Sequence, residues 1–437
     1  MKTRLRVFLV LAAALASRQG VTQPLDAGAS DPNALGWMQG FPPAPERLIA
    51  PPASNYLSFP KLRWTFCHLR EMQASRRVAR GLGPSSELTS SPDNAIDKVS
   101  FTPIGANAPM TWRESLDANY TDGILVMHRG TIVYEYYSGC LDREGRHGAM
   151  SVTKSFVGTV AEILVAEGTI DESKLVREYV PELTDSAFGS ATVREVMDMT
   201  TSLVFNEDYA DPNADIWAYA AAGDPTPKPA DYAGAQNFYE YLQGVKQADE
   251  HGEVFRYKSV NTDALAWVIA RASGKDFLQH LSERIWKPLG MEQEGDMMVD
   301  SLGTPLSAGG LSLSLRDAAR FGLTMLQGGI FEGERIIPAA AVASISGGGD
   351  PAKFVSAGYS TLPGGSYRSQ WWALHNAHGA YSARGIHGQA IYIDPKAEMV
   401  IARFATYPVS ANAVIDPTSL PAYQAVAEYL LAKAADD

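Results

Sequence analysis

Ser151-Val152-Thr153-Lys154-Ser155-Phe156-Val157 is the stretch on which the reading of this chain turns. Phe156, Val157, Val160, Ile163 and Leu164 recur at helical spacing, and Gly168 offers the stop, so a helix starts at Ser151. On that helix Ser151 and Lys154, three residues apart, share a face. A lysine amine beside a serine hydroxyl can help take its proton and make it a nucleophile. Ser151 as a plain helix N-cap is the competing reading. The spacing alone is common at ordinary composition. Ser58-Phe59-Pro60-Lys61 has it too, but Pro60 would break a helix joining those two side chains.

Outward from Ser151, Gly123 to Met127 and Thr131 to Tyr137 read as strands joined by a His128-Arg129-Gly130 hairpin. Helical and loop patterns dominate until about Leu289. Ser314-Leu315-Arg316-Asp317 opens a helix running through Met325. Tyr367 to Leu374, Ile391 to Ile393 and Met399 to Phe404 are β-prone, with Asp394-Pro395-Lys396 as the turn between the last two. A closing helix is expected from about Tyr423 to Lys433. Strands from both ends with helices between predict an α/β fold, an antiparallel sheet flanked by helices with a mostly helical second lobe. The main body is placed at 97–437, its α/β lobe at about 97–150 and 300–437 and its helical lobe at about 151–299.

Before that body, 17–96 reads as an arm and linker. Val21 to Pro52 is rich in Pro, Gly, Ala and Asp, Trp64 to Gly81 reads as a helix wrapping the body, and Gly83 to Asn94 is a second linker. Lys2, Arg4 and Arg6 precede an apolar run from Val7 to Ala16, and Ala14-Leu15-Ala16 offers a small-x-small cleavage site. The run is too short to span a bilayer, so 1–16 is expected to be a secretory signal peptide, an uncleaved anchor being the alternative. The expectation is an exported protein, periplasmic or secreted, without stable membrane insertion after cleavage.

The formal net charge of −12 becomes −15 once those three basic residues are removed. Such an acidic body has no evident track for nucleic acid or an anionic membrane. No Cys/His cluster with zinc-ligand spacing, no His-Glu-x-x-His and no phosphate-cradling glycine loop occurs in the sequence. The expectation is an enzyme with no metal and no cofactor. Cys67 and Cys140 are the two cysteines; export permits a disulfide, and two separate thiols are equally compatible with the sequence. The oligomeric state is not legible.

A Ser–Lys pair needs a second proton-handling group and donors for an oxyanion. Tyr257, in Phe255-Arg256-Tyr257-Lys258-Ser259-Val260-Asn261, can serve as base and then acid if nearby cations lower its pKa. Ser259 and Asn261 compete for a supporting place near Lys154, with Asn261 also able to cap the following helix. Ala383-Arg384-Gly385-Ile386-His387-Gly388-Gln389 offers a glycine-flanked edge strand whose backbone N–H can face a substrate carbonyl. His387 has no evident acidic orienter and reads as a packed structural histidine. Trp371 and Trp372 read as strand packing, with one of them available to line a cleft.

These three elements, in this order, resemble the serine β-lactamase and penicillin-binding superfamily. The Tyr257-Lys258-Ser259 motif is similar to that of class C β-lactamases and related peptidases and esterases, and Ala383-Arg384-Gly385 stands where the family has Lys-Thr-Gly. The closest likeness is to the 6-aminohexanoate-dimer hydrolase and carboxylesterase branch, through Tyr257 to Asp263, Gly385 to Gln389 and Glu207 to Pro212. The resemblance implies Ser151, Lys154 and Tyr257 as catalytic residues and the Ser151 and Ile386 N–H groups as the oxyanion hole. It also implies Tyr209 on a substrate-contacting loop; the family's lysine is absent, so its cation is either missing or replaced by Arg384. It implies a small amide or ester as substrate, cleaved through an acyl-enzyme. A carboxylesterase, a D-amino-acid peptidase or β-lactamase, and a penicillin-binding protein that acylates without turnover are the alternatives.

Overall fold

Thr121 to His128 is buried on both faces almost throughout, which marks a strand at the heart of a layered structure rather than at its surface. A computed structural model describes residues 24–50, 55–224, 228 and 230–436; the expected signal segment 1–16 lies outside them. In chain order the strands that position the site are β1 (Ser75–Val78), β2 (Thr121–His128), β3 (Thr131–Tyr137), β4 (His147–Gly148), β5 (Gly295–Met298), β6 (Leu311–Leu313), β7 (Ser366–Arg368), β8 (Trp371–Ala373), β9 (Tyr381–Gly385), β10 (Gln389–Asp394) and β11 (Met399–Ala405). The main sheet runs β7-β8-β9-β10-β11-β2-β3, antiparallel throughout. The expected β2–β3 hairpin forms, with Arg129 and Gly130 at φ +49° and +80°, the left-handed pair that a tight hairpin turn demands.

Side chains alternate across this sheet as the pleat requires. Leu125, Met127, Val400, Ala402 and Phe404 face one core with Ala318 and Phe321 of α3 (Leu315–Leu326). Ile124, Val126, Met399 and Ile401 face the opposite core, against Tyr423, Val426 and Ala427 of α4 (Asp416–Asp436). The closing helix is therefore longer than its expected span. The helix after Ser151, α1 (Val152–Ala166), is buried from Val152 to Leu164 and lies against β9. It approaches the β7–β8 turn so closely that a Cβ on Gly158 would lie 1.9 Å from the Ser369 carbonyl oxygen. The tyrosine motif leads into α2 (Val260–Ser273), which packs against α1.

Three expectations are corrected. The run Tyr367 to Leu374 is two strands, because Ser369 and Gln370 turn sharply at φ +48° and +66°. Their N–H groups are satisfied by the helical part of the chain, Ser369 N–H donating to Asp198 and Gln370 N–H to the Met197 carbonyl, so the turn needs no glycine. The strand before Ile386 is not an edge: β9 pairs with β8 and β10, although β8 pairs with it only at Ser382 and Tyr381, leaving its Gly385 end open on that side. Trp64 to Gly81 is not one helix. It forms short turns at Leu62–Thr65 and Leu69–Met72 and then β1, which pairs with β5 from Ser75↔Met298 to Val78↔Gly295.

The same segment is fastened to the body at several points. Cys67 and Cys140 form a disulfide, which resolves the choice the sequence left open. Arg63 is buried, with Nη1 3.5 Å from Asp122 Oδ1 and 3.2 Å from Thr406 Oγ1, and Gly148 N–H donates to the Phe66 carbonyl at 2.8 Å. Ser58 and Lys61 each bond to Asn55. Among the described residues, no helix is long and apolar enough to cross a membrane.

Candidate active site

Ser151 stands at the head of α1 with no capping hydrogen bond from its side chain, so its hydroxyl is free for other work. The preceding Met150 is held at φ +47°, a conformation disfavoured for a residue with a side chain and found where function constrains the backbone. One turn into α1, Lys154 Nζ lies 3.0 Å from Ser151 Oγ and 2.6 Å from the Ala308 carbonyl oxygen. Lys154 is 1% exposed. Burial lowers its pKa to about 8, against the opposing pull of the Glu207 and Asp263 carboxylates. Near neutrality this lysine has an accessible neutral form, which an exposed lysine lacks.

Tyr257 packs beside them, its ring centroid 5.1 Å from Lys154 Nζ and stacked on Trp372 at 5.6 Å. The expected lowering of its pKa by cations is not found. Burial raises it well above the ordinary phenol value, Tyr367 and Glu207 add to the rise, and a hydrogen bond to Ser151 opposes them only in part. Tyr257 is thus held as a neutral phenol, and of the two groups Lys154 has the more accessible basic form.

Across the cleft, the end of β9 meets the head of α1. A Cβ on Gly385 would sit 2.7 Å from the Ala149 carbonyl oxygen and 3.0 Å from Ser151 N, so only glycine permits this approach. Neither the Ser151 nor the Ile386 N–H donates to a backbone carbonyl among the described residues. Two unspent donors flanking the serine, at the positive end of α1, suit a developing oxyanion.

The remaining predicted residues divide. Tyr209 lines the cleft, its hydroxyl 3.3 Å from Glu207, its ring edge-on to Trp217. Ser259 also lines it, but its N–H and hydroxyl both bond to Glu207 at 2.6 Å. Asn261 is fully buried, accepts from Thr201 Oγ1 at 2.6 Å and donates to the Lys258 carbonyl, so it braces the tyrosine turn rather than Lys154. Arg384 lines the cleft but is paired with Asp416 and stacked on Trp372. His387 places Nδ1 2.6 Å from the Tyr407 carbonyl, and burial lowers its pKa to about 4, which makes it a neutral structural histidine. Trp371 is buried against α1, its indole donating to the Ser155 carbonyl, whereas Trp372 lines the cleft.

Two carboxylates lie within the stretches that carry the resemblance but were given no place in the site by sequence reasoning. Glu207 ties the Tyr209 loop to the Ser259 turn through the bonds above; it opens the Glu207 to Pro212 stretch of the resemblance, where only Tyr209 was given a role. Asp263 sits four residues after Ser259, hence on the same helical face, and that spacing was a usable signal. It accepts from the Tyr219 hydroxyl and from Ser307 N–H, and burial raises its pKa to about 7.

The cleft has two compartments that meet at Ser151, Tyr209 and Ile386. One, of about 380 Å³, is lined by Tyr257, Tyr359, Trp372 and Arg384. The other, of about 260 Å³, is lined by Phe66, Leu69, Met150, Trp217 and Met298, with Lys154 at its floor.

A serine–lysine pair at the head of a helix packed on an antiparallel sheet, faced by a tyrosine and by a strand end, defines a serine hydrolase of the β-lactamase fold. Residues 118–422 match the Beta-lactamase family model, and the chain belongs to that family. It is 34% identical over 360 residues to the 6-aminohexanoate-dimer hydrolase of Paenarthrobacter ureafaciens, covering 82% of this chain and 88% of that one. A solved structure of a Bacillus anthracis protein assigned as a 6-aminohexanoate-dimer hydrolase superposes with a TM-score of 0.78 at 32% identity, covering 86% of this chain and 96% of that one. A family VIII carboxylesterase shares the fold at a TM-score of 0.53 and 16% identity, over 72% of this chain and 96% of the other.

Proposed function

We propose that the protein is an exported serine amidase or esterase that cleaves a small amide or ester through an acyl-enzyme. The observation that carries this reading is the 3.0 Å contact between Ser151 Oγ and a buried Lys154 whose pKa is lowered to about 8. Neutral Lys154 takes the Ser151 proton as Oγ bonds to the carbonyl carbon. The Ser151 and Ile386 N–H groups hold the resulting oxyanion. As the intermediate collapses, Tyr257 gives its proton to the departing nitrogen or oxygen and recovers one from Lys154. In the second half-reaction Lys154 takes a proton from water, which attacks the acyl carbon. Ser151 Oγ then departs with that proton, and a carboxylic acid is released.

Export is supported by the sequence of 1–16 and by the Cys67–Cys140 disulfide, a bond that persists in oxidising compartments. The relatives named as dimer hydrolases favour turnover over mere acylation. Penicillin-type substrates are disfavoured because Arg384 is already held by Asp416.

A fluorophosphonate probe and a p-nitrophenyl ester test the proposal. Ser151→Ala should lose both labelling and turnover; labelling that survives removes Ser151 from the nucleophile's role. A burst without steady release would favour the penicillin-binding alternative.

A further inference from the structure

The departing atom must receive a proton as its bond to the carbonyl carbon breaks, and Tyr257 lines only the larger of the two compartments. On the mechanism proposed above, the leaving group therefore lies in that compartment. The acyl part of the substrate then extends the other way from Ser151, into the compartment floored by Lys154.

That second compartment has a distinct chemistry. Its walls are Phe66 and Leu69 of the N-terminal segment, Met150 beside the nucleophile, and Met298 of β5, each 9% exposed or less and packed into one cluster. Trp217 and Leu57 stand at its rim, both substantially exposed. No carboxylate and no arginine lines it among the described residues. Tyr219 reaches it too, but its hydroxyl is spent on Asp263. His387 is there as a neutral ring already bonded to Tyr407. Lys154, the one described lining side chain that carries a charge near neutrality, would repel a second cation.

We infer that this compartment selects an uncharged aliphatic or aryl acyl group and rejects one that ends in an ammonium, with the N-terminal segment as its specificity wall. An ammonium brought there would leave water and find no carboxylate among the described residues that line the compartment, a loss that apolar contact along the chain does not offset. The wall is part of the folded body rather than a loose arm. The Cys67–Cys140 disulfide, the Arg63–Asp122 pair and the β1–β5 pairing all fasten it, and Cys67 lies directly beside Phe66.

The test holds the leaving group constant. p-Nitrophenyl acetate, butyrate and hexanoate are compared with p-nitrophenyl 6-aminohexanoate, whose acyl chain matches hexanoate but ends in an ammonium. The expected kcat/KM rises from acetate to hexanoate and drops at least about tenfold for the amino ester. Leu57→Asp, a change at an exposed rim position, should narrow that gap by supplying the missing carboxylate. Leu69→Trp should lower the hexanoate-to-acetate ratio of kcat/KM about tenfold. Equal or faster turnover of the amino ester by the native enzyme would overturn the inference while leaving the proposed function intact. So would an unchanged hexanoate-to-acetate ratio in a folded Leu69→Trp variant. Absence of any Ser151-dependent turnover of these esters would overturn both.

Discussion

Lys154 Nζ and Ser151 Oγ are 3.0 Å apart in a site where the lysine is sealed from solvent, and burial has brought its pKa down to about 8. In the proposed mechanism the neutral amine is the base, so kcat/KM should rise about tenfold per pH unit below about 8 and level off above it. Lys154→Met, similar in length and without charge, should lower kcat/KM by about 10²–10⁴. It should hold or raise the melting temperature, since a buried cation is replaced by apolar packing. A pH profile flat from 6 to 9, or a variant keeping a tenth of the activity, would contradict this role.

Gly385 is the second constraint on the same serine. A methyl at this position would press on the Ala149 carbonyl and on Ser151 N, displacing one of the two donors proposed for the oxyanion. Gly385→Ala should cost about 10²–10³ in kcat with KM little changed, the signature of a contact made in the transition state. Circular dichroism should show a folded protein. A variant with native kcat would mean that β9 can retreat without consequence.

That Ser151, Lys154, Tyr257 and Gly385 belong to one cleft was legible in the sequence because each depends on short-range order: a helical face, a turn before a helix, a glycine at a strand end. The main sheet was legible too, since β2, β3, β10 and β11 are apolar runs with turn residues at their ends. What was not legible depends on contacts between distant segments. The split between β7 and β8 rests on Asp198 and Met197, far back in the chain. The strand β1 exists because β5, more than two hundred residues later, offers a free edge to Arg76 and Arg77. Tyr257 was misjudged in its chemistry, not its place: the sequence shows the neighbouring lysine, whereas burial, which decides the pKa, is a property of the packed structure.

His387 makes a separable prediction about pH. Its folded pKa, about 4, lies below the ordinary value of 6.5 because burial penalises the imidazolium. The unfolded chain therefore binds more protons between those values. The stability this group confers is present in full above about pH 6.5 and is lost as pH falls toward 4. His387→Asn suits the site, since position 387 has φ +62° and asparagine tolerates it. That variant should flatten the acid side of the melting-temperature profile between pH 4 and 6.5 and keep kcat within a few-fold. A large loss of kcat in a stably folded variant would restore His387 to the reaction.

The Arg384–Asp416 pair at the cleft makes a prediction about substrates that carry a carboxylate. Arg384 stands where the family's lysine is expected, yet its guanidinium is paired with Asp416, whose other oxygen accepts from Thr361 Oγ1 at 2.6 Å. A chromogenic cephalosporin, which depends on gripping its carboxylate, should therefore show kcat/KM at least about a hundredfold below that of a p-nitrophenyl ester. Asp416→Asn removes the competing charge and keeps the shape, leaving the guanidinium free to turn into the cleft above Trp372. That variant should gain on the cephalosporin relative to the ester, mainly through a lower KM. Arg384→Ala strands a buried carboxylate instead, and should cost about 3–5 kcal/mol of stability without any such gain. Native turnover of the cephalosporin at the ester's rate, or an Asp416→Asn variant with an unchanged ratio, would show that this ion pair does not gate the substrate's carboxylate.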